Sequence, residues 1–486
     1  MIRHSEGKVV LTPEQIEAQK ANLDKMRTTM QEFLEVRKNW KESGKSLDDL
    51  IKHTTKMMEI SDDCPTVFNF RKELIEMKLM QILSQMKELS SMASKTDMTE
   101  EEKEENKKAI KDMKEKIVGE LKTLAKEEIT FLTKLIMYSP KSYELWFHRL
   151  WLLQKISEIE QKYLKSNENS QTLMTKDLML CAKFLEKDNR NFHVWNYRIE
   201  VINKLLSISS EQEKIGLVDN ELKFIKAKME EGFSNYSAFH FFTKFTQLKA
   251  DLTSKSIIAR EDVMEVFKNN LESLFISPNE QALWIFNKWC IDNVTDLCVN
   301  FGEIKDKCLL LYTNKNIDIA VARSLDIDVD GKKIVLTDED ILQNCIKLKI
   351  DNLPAMYTIR NRRVCEIRVK ENSVVIEEKN NNENLKEELE QAIEYFENAD
   401  IGSIETQLFK PLNLFYVKKA VSLNTQFNTK EDYINKLKEC LEYLVKESKT
   451  NDLCFKNCYF KKLIERTEKC INQGNADQII KLANEA

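Results

Sequence analysis

The sequence predicts a mainly α-helical protein, an α-α superhelix of stacked helical hairpins with a small inserted β-sandwich. Three observations support this fold class. The 486 residues include only 9 glycines and 6 prolines, too few helix breakers for a turn-rich all-β chain. One aromatic motif recurs along the chain up to about residue 300, and alternating apolar residues replace it after Phe301. Helices should therefore form most of the chain and strands one segment of it.

The recurring motif is clearest in SPKSYELWFHRLWLL, from Ser139 to Leu153. Ser139 is a good helix N-cap and Pro140 suits the first helical position, so a helix is predicted to begin there. The shared aromatic of the five copies is Phe68, Trp146, Trp195, Phe239 and Trp284 in turn. The last three intervals, of 49, 44 and 45 residues, are typical of stacked helical hairpins.

A second helix should close each hairpin, because a single amphipathic helix cannot bury its apolar stripe alone. The periodic segments 173–185 and 265–275 supply two such helices. The charge-dense stretch 96–116 has Glu and Lys at i, i+4 spacing and is interpreted as a solvated helical insertion.

Two helices are predicted before the first copy of the motif. Gln15–Trp40 has an amphipathic pattern, with Thr12 as its N-cap and a proline at its first position. Ser46 or Asp48 should open the second helix, which leads to Met58.

Short runs of alternating apolar residues after Phe301 predict β-strands. Asp330-Gly331 lies between two of these runs and predicts a two-residue hairpin. The segment 307–378 is interpreted as a separate β-sandwich. DIDVDG also resembles the opening of a calcium loop, but its twelfth position is Thr337 instead of a bidentate glutamate, which favours the hairpin. The predicted domains are 1–300 with the repeats, 301–380 with the sandwich, and 381–486 with further helical hairpins.

Composition excludes several classes of protein. Net charge is −5, with 75 basic and 80 acidic residues, which does not favour nucleic-acid binding. No signal peptide, membrane span or C-terminal lipidation motif is recognised, so a cytoplasmic protein is expected. The eleven cysteines lack a CxxC pair, and Cys454 and Cys458 have no histidine nearby. The chain is therefore not expected to bind zinc by itself.

The repeats resemble those of the protein prenyltransferase α subunit family. In that family a Pro or Asp, and an Asn or Ser before an aromatic, precede a Trp that is followed three residues later by Arg, and the second and third copies match this pattern best. Within the family the layout is most similar to the type II, or Rab geranylgeranyltransferase, α subunits, through PKSY, SNYS and PNEQ followed by an aromatic pair. The resemblance implies an immunoglobulin-like insert, and no leucine-rich-repeat pattern follows.

The resemblance implies an enzyme subunit that is active only with a β subunit, where zinc is expected. The partners it implies are the prenyltransferase β subunit, a Rab escort protein, a Rab GTPase substrate and geranylgeranyl diphosphate. In this family a zinc-bound cysteine thiolate attacks C1 of the isoprenoid diphosphate. Charge then grows on the departing diphosphate, and fixed cations and hydrogen-bond donors stabilise it.

Carried onto this sequence, the family's diphosphate-binding residues are Lys141, Tyr143, Phe192 and His193, of which Lys141, Tyr143 and His193 are expected to be catalytic. A lysine at a helix start is electrostatically unfavourable, because the N–H groups there favour anions, and this favours a ligand-binding role for Lys141. Phe192 replaces the tyrosine of farnesyl-type members, as fits type II. From the residues alone, Tyr143 and His193 could equally belong to the core.

Other motif residues are predicted to be structural. Arg149 and Arg198 should bridge adjacent repeats, because a partly buried arginine needs carboxylate or carbonyl partners. Thr243 or Lys244 stands for the arginine in the fourth copy and Lys288 in the fifth. The structural residues are Trp146, Arg149, Trp195, Arg198 and Trp284.

The N-terminal His4, followed by Lys8, resembles the start of type II α subunits, which implies that it could reach the partner's metal. The alternative is a disordered terminal histidine.

Two other functions remain open. The first is a non-catalytic scaffold, although tetratricopeptide repeats are about 34 residues long and carry a small-residue pattern. The second is the α subunit shared by farnesyltransferase and geranylgeranyltransferase type I. The predicted β insert and the PNEQ motif argue against that second alternative.

Overall fold

The computed structural model contains two compact units, Met1–Ser210 and Glu211–Ala486. Helices predominate in both units, and the strands lie in the second, so the predicted fold class, mainly α with a small inserted antiparallel β region, is confirmed. The described residues are 12–42, 44–93, 100–253, 258–295, 297–313, 325–330, 332–337, 340–342, 345–350, 355–360, 364–370, 373–379, 383–398, 409–423, 427–450 and 458–473.

The described part of the first unit consists of helices that pack mostly as consecutive antiparallel neighbours. The α-helices are α1 Pro13–Asn39, α2 Leu47–Ile60, α3 Pro65–Ala93, α4 Glu100–Tyr138, α5 Tyr143–Ile159, α6 Glu168–Lys187 and α7 Phe192–Ile208, and a short π-helix, Glu160–Leu164, continues α5. Ser46 is the N-cap of α2, as predicted, and its hydroxyl accepts a hydrogen bond from the Asp49 N–H at 3.1 Å.

The charge-dense stretch does not form a separate insertion in its described part. From Glu100 onward it is the beginning of α4, which continues without a break to Tyr138. Ile110 and Met113 from this stretch pack against the core that α3 and α4 share. The i, i+4 charge pattern correctly indicated a helix, but these apolar residues give it one buried face.

The second unit contains hairpin helices on both sides of the strands. Its described helices are α8 Glu211–Glu231, α9 Tyr236–Leu252, α10 Arg260–Ile276, α11 Gln281–Val294, α12 Glu383–Asn398, α13 Phe409–Ser422, α14 Lys430–Thr450 and α15 Cys458–Gln473. Helix α13 packs directly on α11, where the Asn287 amide donates to Asn413 at 3.1 Å. The hairpin pattern therefore resumes against α11 after the strands.

The strands form two antiparallel sheets that share one apolar core. The first sheet has the order β1-β2-β6-β5, and the second has the order β4-β3-β7-β8-β9. The strands are β1 Val299–Lys305, β2 Cys308–Thr313, β3 Asp326–Val329, β4 Lys332–Ile334, β5 Ile341–Leu342, β6 Cys345–Lys349, β7 Ala355–Arg360, β8 Val364–Lys370 and β9 Ser373–Lys379. A Cβ on Gly302 of β1 would lie 2.8 Å from Val374 of β9, so this close approach requires glycine.

The hairpin prediction at Asp330 is confirmed. Val329 pairs with Lys332, which leaves a two-residue connection, and Asp330 has a φ of 48°, in the left-handed region that tight hairpin turns use. The Asp330 carboxylate accepts a hydrogen bond from the Met356 N–H at 3.0 Å. This aspartate therefore has a structural partner in the neighbouring strand β7.

The sandwich begins before Lys307, because β1 starts at Val299 and pairs with β2. It is also not separate from the helices, contrary to prediction. Leu310 and Tyr312 of β2 form one buried cluster with Tyr433 and Leu437 of α14. This contact joins positions more than a hundred residues apart in the sequence. The predicted domain limits at 300 and 380 stay predictions.

Arg71 is a buried arginine that connects neighbouring helices of the first unit. Arg71 forms a bidentate pair with Glu128, at 2.7 and 2.6 Å, and also donates to the Ile51 carbonyl. Glu128 accepts a further hydrogen bond from Nε2 of His148, at 2.9 Å. Helices α2, α3, α4 and α5 are therefore connected through one buried polar cluster.

Burial and the neighbouring charges shift the pKa values of Glu128 and His148 in opposite directions. Burial alone would raise the pKa of Glu128, but hydrogen bonds from His148 and Arg71, together with the charge of Arg71, lower it to about 2. Burial lowers the pKa of His148, and the Glu128 carboxylate only partly offsets that effect. The folded state therefore favours a charged Glu128 beside a neutral His148.

These pKa shifts predict that acid destabilises the first unit in two stages. Below pH 6.5, the ordinary histidine value, the unfolded chain binds a proton that buried His148 resists, so stability falls. Below pH 4.5 the depressed pKa of Glu128 causes a second loss, which continues to about pH 2. Urea denaturation between pH 7.5 and 5 should show a shallower loss for His148→Gln than for wild type. An equally steep loss in His148→Gln would contradict the first stage.

Candidate functional site

Among the described residues, four hairpins have the same turn between their helices. In each, the N–H of the last turn residue donates to the carbonyl three residues earlier, at 3.1 to 3.2 Å. The turns are Ser139–Ser142, Asp188–Asn191, Gly232–Asn235 and Ser277–Glu280. The turn therefore places equivalent residues of successive repeats at the start of each second helix.

The predicted start of α5 is wrong by three residues. Helix α5 begins at Tyr143, and its N-cap is Ser142, whose hydroxyl accepts a hydrogen bond from the Leu145 N–H at 3.4 Å. Ser139 and Pro140 occupy the first two turn positions, where serine and proline are also favoured. Lys141 consequently lies in the turn and not at the second helical position.

The turn orients the tryptophan of each repeat that has one. The indole N–H of Trp146 donates to the carbonyl of Pro140 at 2.9 Å. Trp195 and Trp284 make the same bond to Asn189 and Pro278, also six residues earlier, at 2.9 and 2.7 Å. A buried indole N–H requires such an acceptor, so the tryptophans hold turn and helix together.

Lys141 and Asp188 form an ion pair between two consecutive turns. The distance from Nζ of Lys141 to Oδ2 of Asp188 is 3.2 Å, and the side chains are 69% and 42% exposed. An exposed pair of this kind contributes about 0–1 kcal/mol to stability, so it holds the lysine only weakly. The ammonium group therefore remains available to another anion.

The other three predicted ligand residues lie together beside this pair. The ring centroids of Tyr143 and His193 are 4.2 Å apart in an edge arrangement. Phe192 stacks on His193 at 4.0 Å, and Tyr143 lies 6.2 Å from Phe192. Tyr143 and Phe192 are about half exposed, whereas His193 is 9% exposed. The structure thus brings all four predicted residues to one edge of the first unit.

His193 is held as a neutral imidazole at this edge. Its backbone N–H donates to the side chain of the N-cap residue Asn191 at 3.1 Å, which fixes the start of α7. Burial and then the charge of Lys141 lower the pKa of His193. Its Nδ1 is buried without a hydrogen-bond partner, so a ligand can reach the ring only through Nε2.

The structural residues occupy positions that link helices. Arg149 forms a bidentate pair with Asp177 of α6, at 2.8 and 2.6 Å, and donates to the Ile129 carbonyl of α4. Arg198 donates to the Leu178 carbonyl of α6 at 2.7 Å. Asp177 also accepts a short hydrogen bond from Tyr197. Arg149 therefore contacts the helices on both sides of α5.

The suggested substitutes for arginine in later copies are wrong. Counting three residues from the shared aromatic gives Phe242 in α9 and Asn287 in α11, and both are buried. Lys288 instead lies at the surface and pairs with Asp292 at 2.6 Å. An apolar contact and an amide network thus replace the ion pair in the second unit.

Asp188 and Asn191 occupy the Asp and Asn positions of the motif, but neither was predicted to be a site residue, although both contribute to the site. The signal for Asn191 was present, because asparagine before an aromatic is a common N-cap. Asp188 could not be assigned in this way, since its contact with Lys141 crosses from one repeat to the next.

The described segments bring together no three His, Cys, Asp or Glu side chains that could hold a metal ion. None of the helices in the described chain is long and apolar enough to cross a membrane. His4 and Lys8 lie outside the described residues.

Comparison with known families identifies two of the repeats. Residues 125–156 and 174–205 match the protein prenyltransferase alpha subunit repeat. These ranges contain Lys141, Tyr143, Phe192 and His193. The resemblance inferred from the motifs is therefore confirmed, and the candidate site lies in the two matched repeats.

Several curated proteins are similar to this chain. A geranylgeranyl transferase type-2 subunit alpha of Mus musculus is 26% identical over 317 residues, which covers 63% of this chain and 45% of the relative. The protein of the same name from Homo sapiens is 25% identical, with 59% and 41% covered. The one from Saccharomyces cerevisiae is 27% identical, with 45% and 63% covered. The match thus spans less than half the length of the two mammalian relatives.

Among solved structures, one similar chain belongs to Candida albicans protein geranylgeranyltransferase-I complexed with GGPP. It matches with a TM-score of 0.27 and 15% identity, covering 56% of this chain and 84% of the matched chain.

Proposed function

We propose that this chain, which carries protein prenyltransferase alpha subunit repeats, is the α subunit of a heterodimeric geranylgeranyltransferase type II. It would hold a zinc-bearing β subunit and help transfer geranylgeranyl from its diphosphate to C-terminal cysteines of Rab GTPases presented by an escort protein. The observation that carries the proposal is the meeting of Lys141, Tyr143 and His193 from two consecutive repeats at one exposed edge. Curated relatives with the type-2 name support this choice.

Zinc supplies a metal-bound thiolate in this chemistry, but the described residues of this chain do not form a site for it. We therefore assign the metal to the β subunit. This chain would act on the other side of the reaction, at the departing diphosphate. Its contribution would be positive charge and hydrogen-bond donors held at fixed positions.

Each residue of the site has a distinct role in this proposal. Lys141 supplies a full positive charge to the diphosphate oxygens, and the Tyr143 hydroxyl can donate a hydrogen bond. Neutral His193 can donate through Nε2, provided that the ring carries its proton there. Phe192 stacks on the imidazole and restricts its orientation. These groups are worth most when the negative charge is greatest, which is in the transition state.

An exposed aromatic surface next to the site supports a protein partner. Tyr143, Phe147 and Phe192 each expose about half of their side-chain area, and the rings of Tyr143 and Phe147 stack at 6.3 Å. A contiguous apolar surface of this kind is unfavourable in water and typically marks an interface. A β subunit that covers these rings would also exclude water from the site.

The Lys141→Ala variant tests the proposal in the assembled heterodimer. Single-turnover prenyl transfer should slow by roughly a hundredfold, because one preorganised charged donor is worth about 3 kcal/mol to such a transition state. Binding of geranylgeranyl diphosphate should weaken much less, since the ground state carries less charge on the leaving oxygen. His193→Ala should show the same pattern with a smaller effect.

The matched control is Lys134→Ala. Lys134 is also an exposed lysine of the same hairpin, paired with Glu59 at 2.9 Å, but it lies within α4 and away from the turn. This variant should transfer lipid at the wild-type rate. An assembled Lys141→Ala complex that also retained the wild-type rate would leave the chain as a scaffold only.

A further inference from the structure

We propose that Asp188 is the resting partner of Lys141, and that a diphosphate must displace it to bind. Asp188 would thus limit how tightly the site retains a diphosphate. The inference rests on the proposed function, because it assumes that Lys141 faces a diphosphate. It assigns a positioning role to a residue on the repeat that follows Lys141.

Asp188 is fixed by its own turn. Its backbone N–H donates to the Phe184 carbonyl at 3.0 Å, which ends α6, and its carbonyl accepts from the Asn191 N–H at 3.1 Å. One carboxylate oxygen, Oδ1, accepts from the backbone N–H of Arg190 at 3.1 Å. The other oxygen, Oδ2, faces Lys141. The carboxylate is therefore a stationary acceptor for a flexible lysine.

A second contact holds the turns Ser139–Ser142 and Asp188–Asn191 together besides this ion pair. The Asn191 amide donates to the Pro140 carbonyl at 3.1 Å, so a neutral hydrogen bond already connects them. The charge of Asp188 is consequently not needed to hold the repeats in contact. Removing it should change the electrostatics of the site more than its geometry.

Displacing Asp188 from Lys141 does not remove its charge from the site. The turn keeps the carboxylate within a few ångströms of any anion bound to Lys141, and a charge at that distance repels the anion. A site with Asp188 therefore releases diphosphate more readily than one without it. Such release is useful where diphosphate is a product that must leave.

The test uses inorganic pyrophosphate as the probe and measures its binding to the assembled heterodimer by calorimetry. Asp188→Asn keeps an acceptor for the Arg190 N–H but removes the charge, and should bind pyrophosphate on the order of fivefold more tightly. The gain should be clearly smaller when Lys141→Ala is already present, since no ion pair then remains to be displaced. Glu59→Gln, which removes the partner of Lys134, is the matched control and should leave affinity unchanged.

A second readout uses the chain alone. In Asp188→Asn the charge of Lys141 is no longer offset, so NMR titration should give a lower His193 pKa than in wild type, and Lys141→Ala should give a higher one. Equal gains in pyrophosphate affinity in both lysine backgrounds, or an unchanged His193 pKa in Asp188→Asn, would overturn the role of Asp188. Either result could occur while the rate defect of Lys141→Ala persists, so it would leave the proposed function intact.

Discussion

Replacing Arg149 with alanine should destabilise the first unit by about 3–5 kcal/mol, because it leaves a buried carboxylate without its partner. Asp177 is buried and would lose both hydrogen bonds from Arg149 while keeping the one from Tyr197. Burial opposes the charge of Arg149, but the hydrogen bonds and charge of Asp177 raise its pKa above the ordinary value. Arg149 is thus fully ionised, and the substitution removes a positive charge from beside the Asp177 carboxylate. Chemical denaturation of the full chain measures the loss of stability. Hydrogen exchange of α4 to α6, in a separate experiment, shows whether the loss is located in these helices.

Two matched variants separate the ion pair from packing. Lys134→Ala removes an exposed ion pair from the same hairpin and should cost no more than about 1 kcal/mol. Replacing Arg149 and Asp177 together by leucine, with Tyr197→Phe so that no buried hydroxyl loses its acceptor, removes both charges at once and should cost far less than Arg149→Ala alone. If Arg149→Ala were as mild as Lys134→Ala, the buried pair would not hold the hairpins together.

The sequence correctly predicted that the second repeat contains a helix after Ser139, but it did not predict the residue at which that helix begins. Ser139-Pro140 satisfies the rules for a helix start and for a turn equally well, and the sequence alone favoured the helix. The turn is adopted because Ser142 can then cap α5 while its hydroxyl also donates to the Asp62 carbonyl of the preceding repeat, at 2.7 Å. That second contact lies 80 residues away in the sequence and leaves no local signal.

The family motifs selected four residues of the candidate site that lie together in the structure. Lys141, Tyr143, Phe192 and His193 were selected from motif positions, and the structure places them together. Asp188 is the Asp of the motif in the third copy, but its role becomes visible only through its distance to Lys141. The motif therefore gave the position of Asp188 but not its contact with a residue of the neighbouring repeat.

The same limit applies to the sandwich. The alternation of apolar and polar residues predicted the strands correctly. It did not predict that α14 covers the sheet that contains β2. In β2, Leu310 and Tyr312 alternate with Leu309 and Leu311, so apolar residues occupy both faces of the strand. Such a strand is buried on both sides. One face meets the second sheet, and the other meets α14.

Tyr433→Ala should therefore destabilise both α14 and the sheet that it covers. Tyr433 is 1% exposed and lies 5.9 Å from the ring of Tyr312, and its hydroxyl donates to the Thr313 carbonyl at 3.3 Å. Truncating a buried aromatic typically costs about 3–5 kcal/mol. Hydrogen exchange by mass spectrometry should show lost protection in α14 and in β2 together, because one cluster supports both.

Two controls make this test specific. Tyr433→Phe keeps the ring and loses only the hydrogen bond to Thr313, so it should cost about 0.5–1.5 kcal/mol. Tyr395→Ala truncates a tyrosine of α12 that is 40% exposed, and should leave the protection of α14 and β2 unchanged. If Tyr433→Ala loosened α14 while β2 kept its protection, the sandwich would be an independent insert after all. The joint loss is expected because Leu310, Tyr312 and Leu437 share the cluster that the tyrosine ring fills.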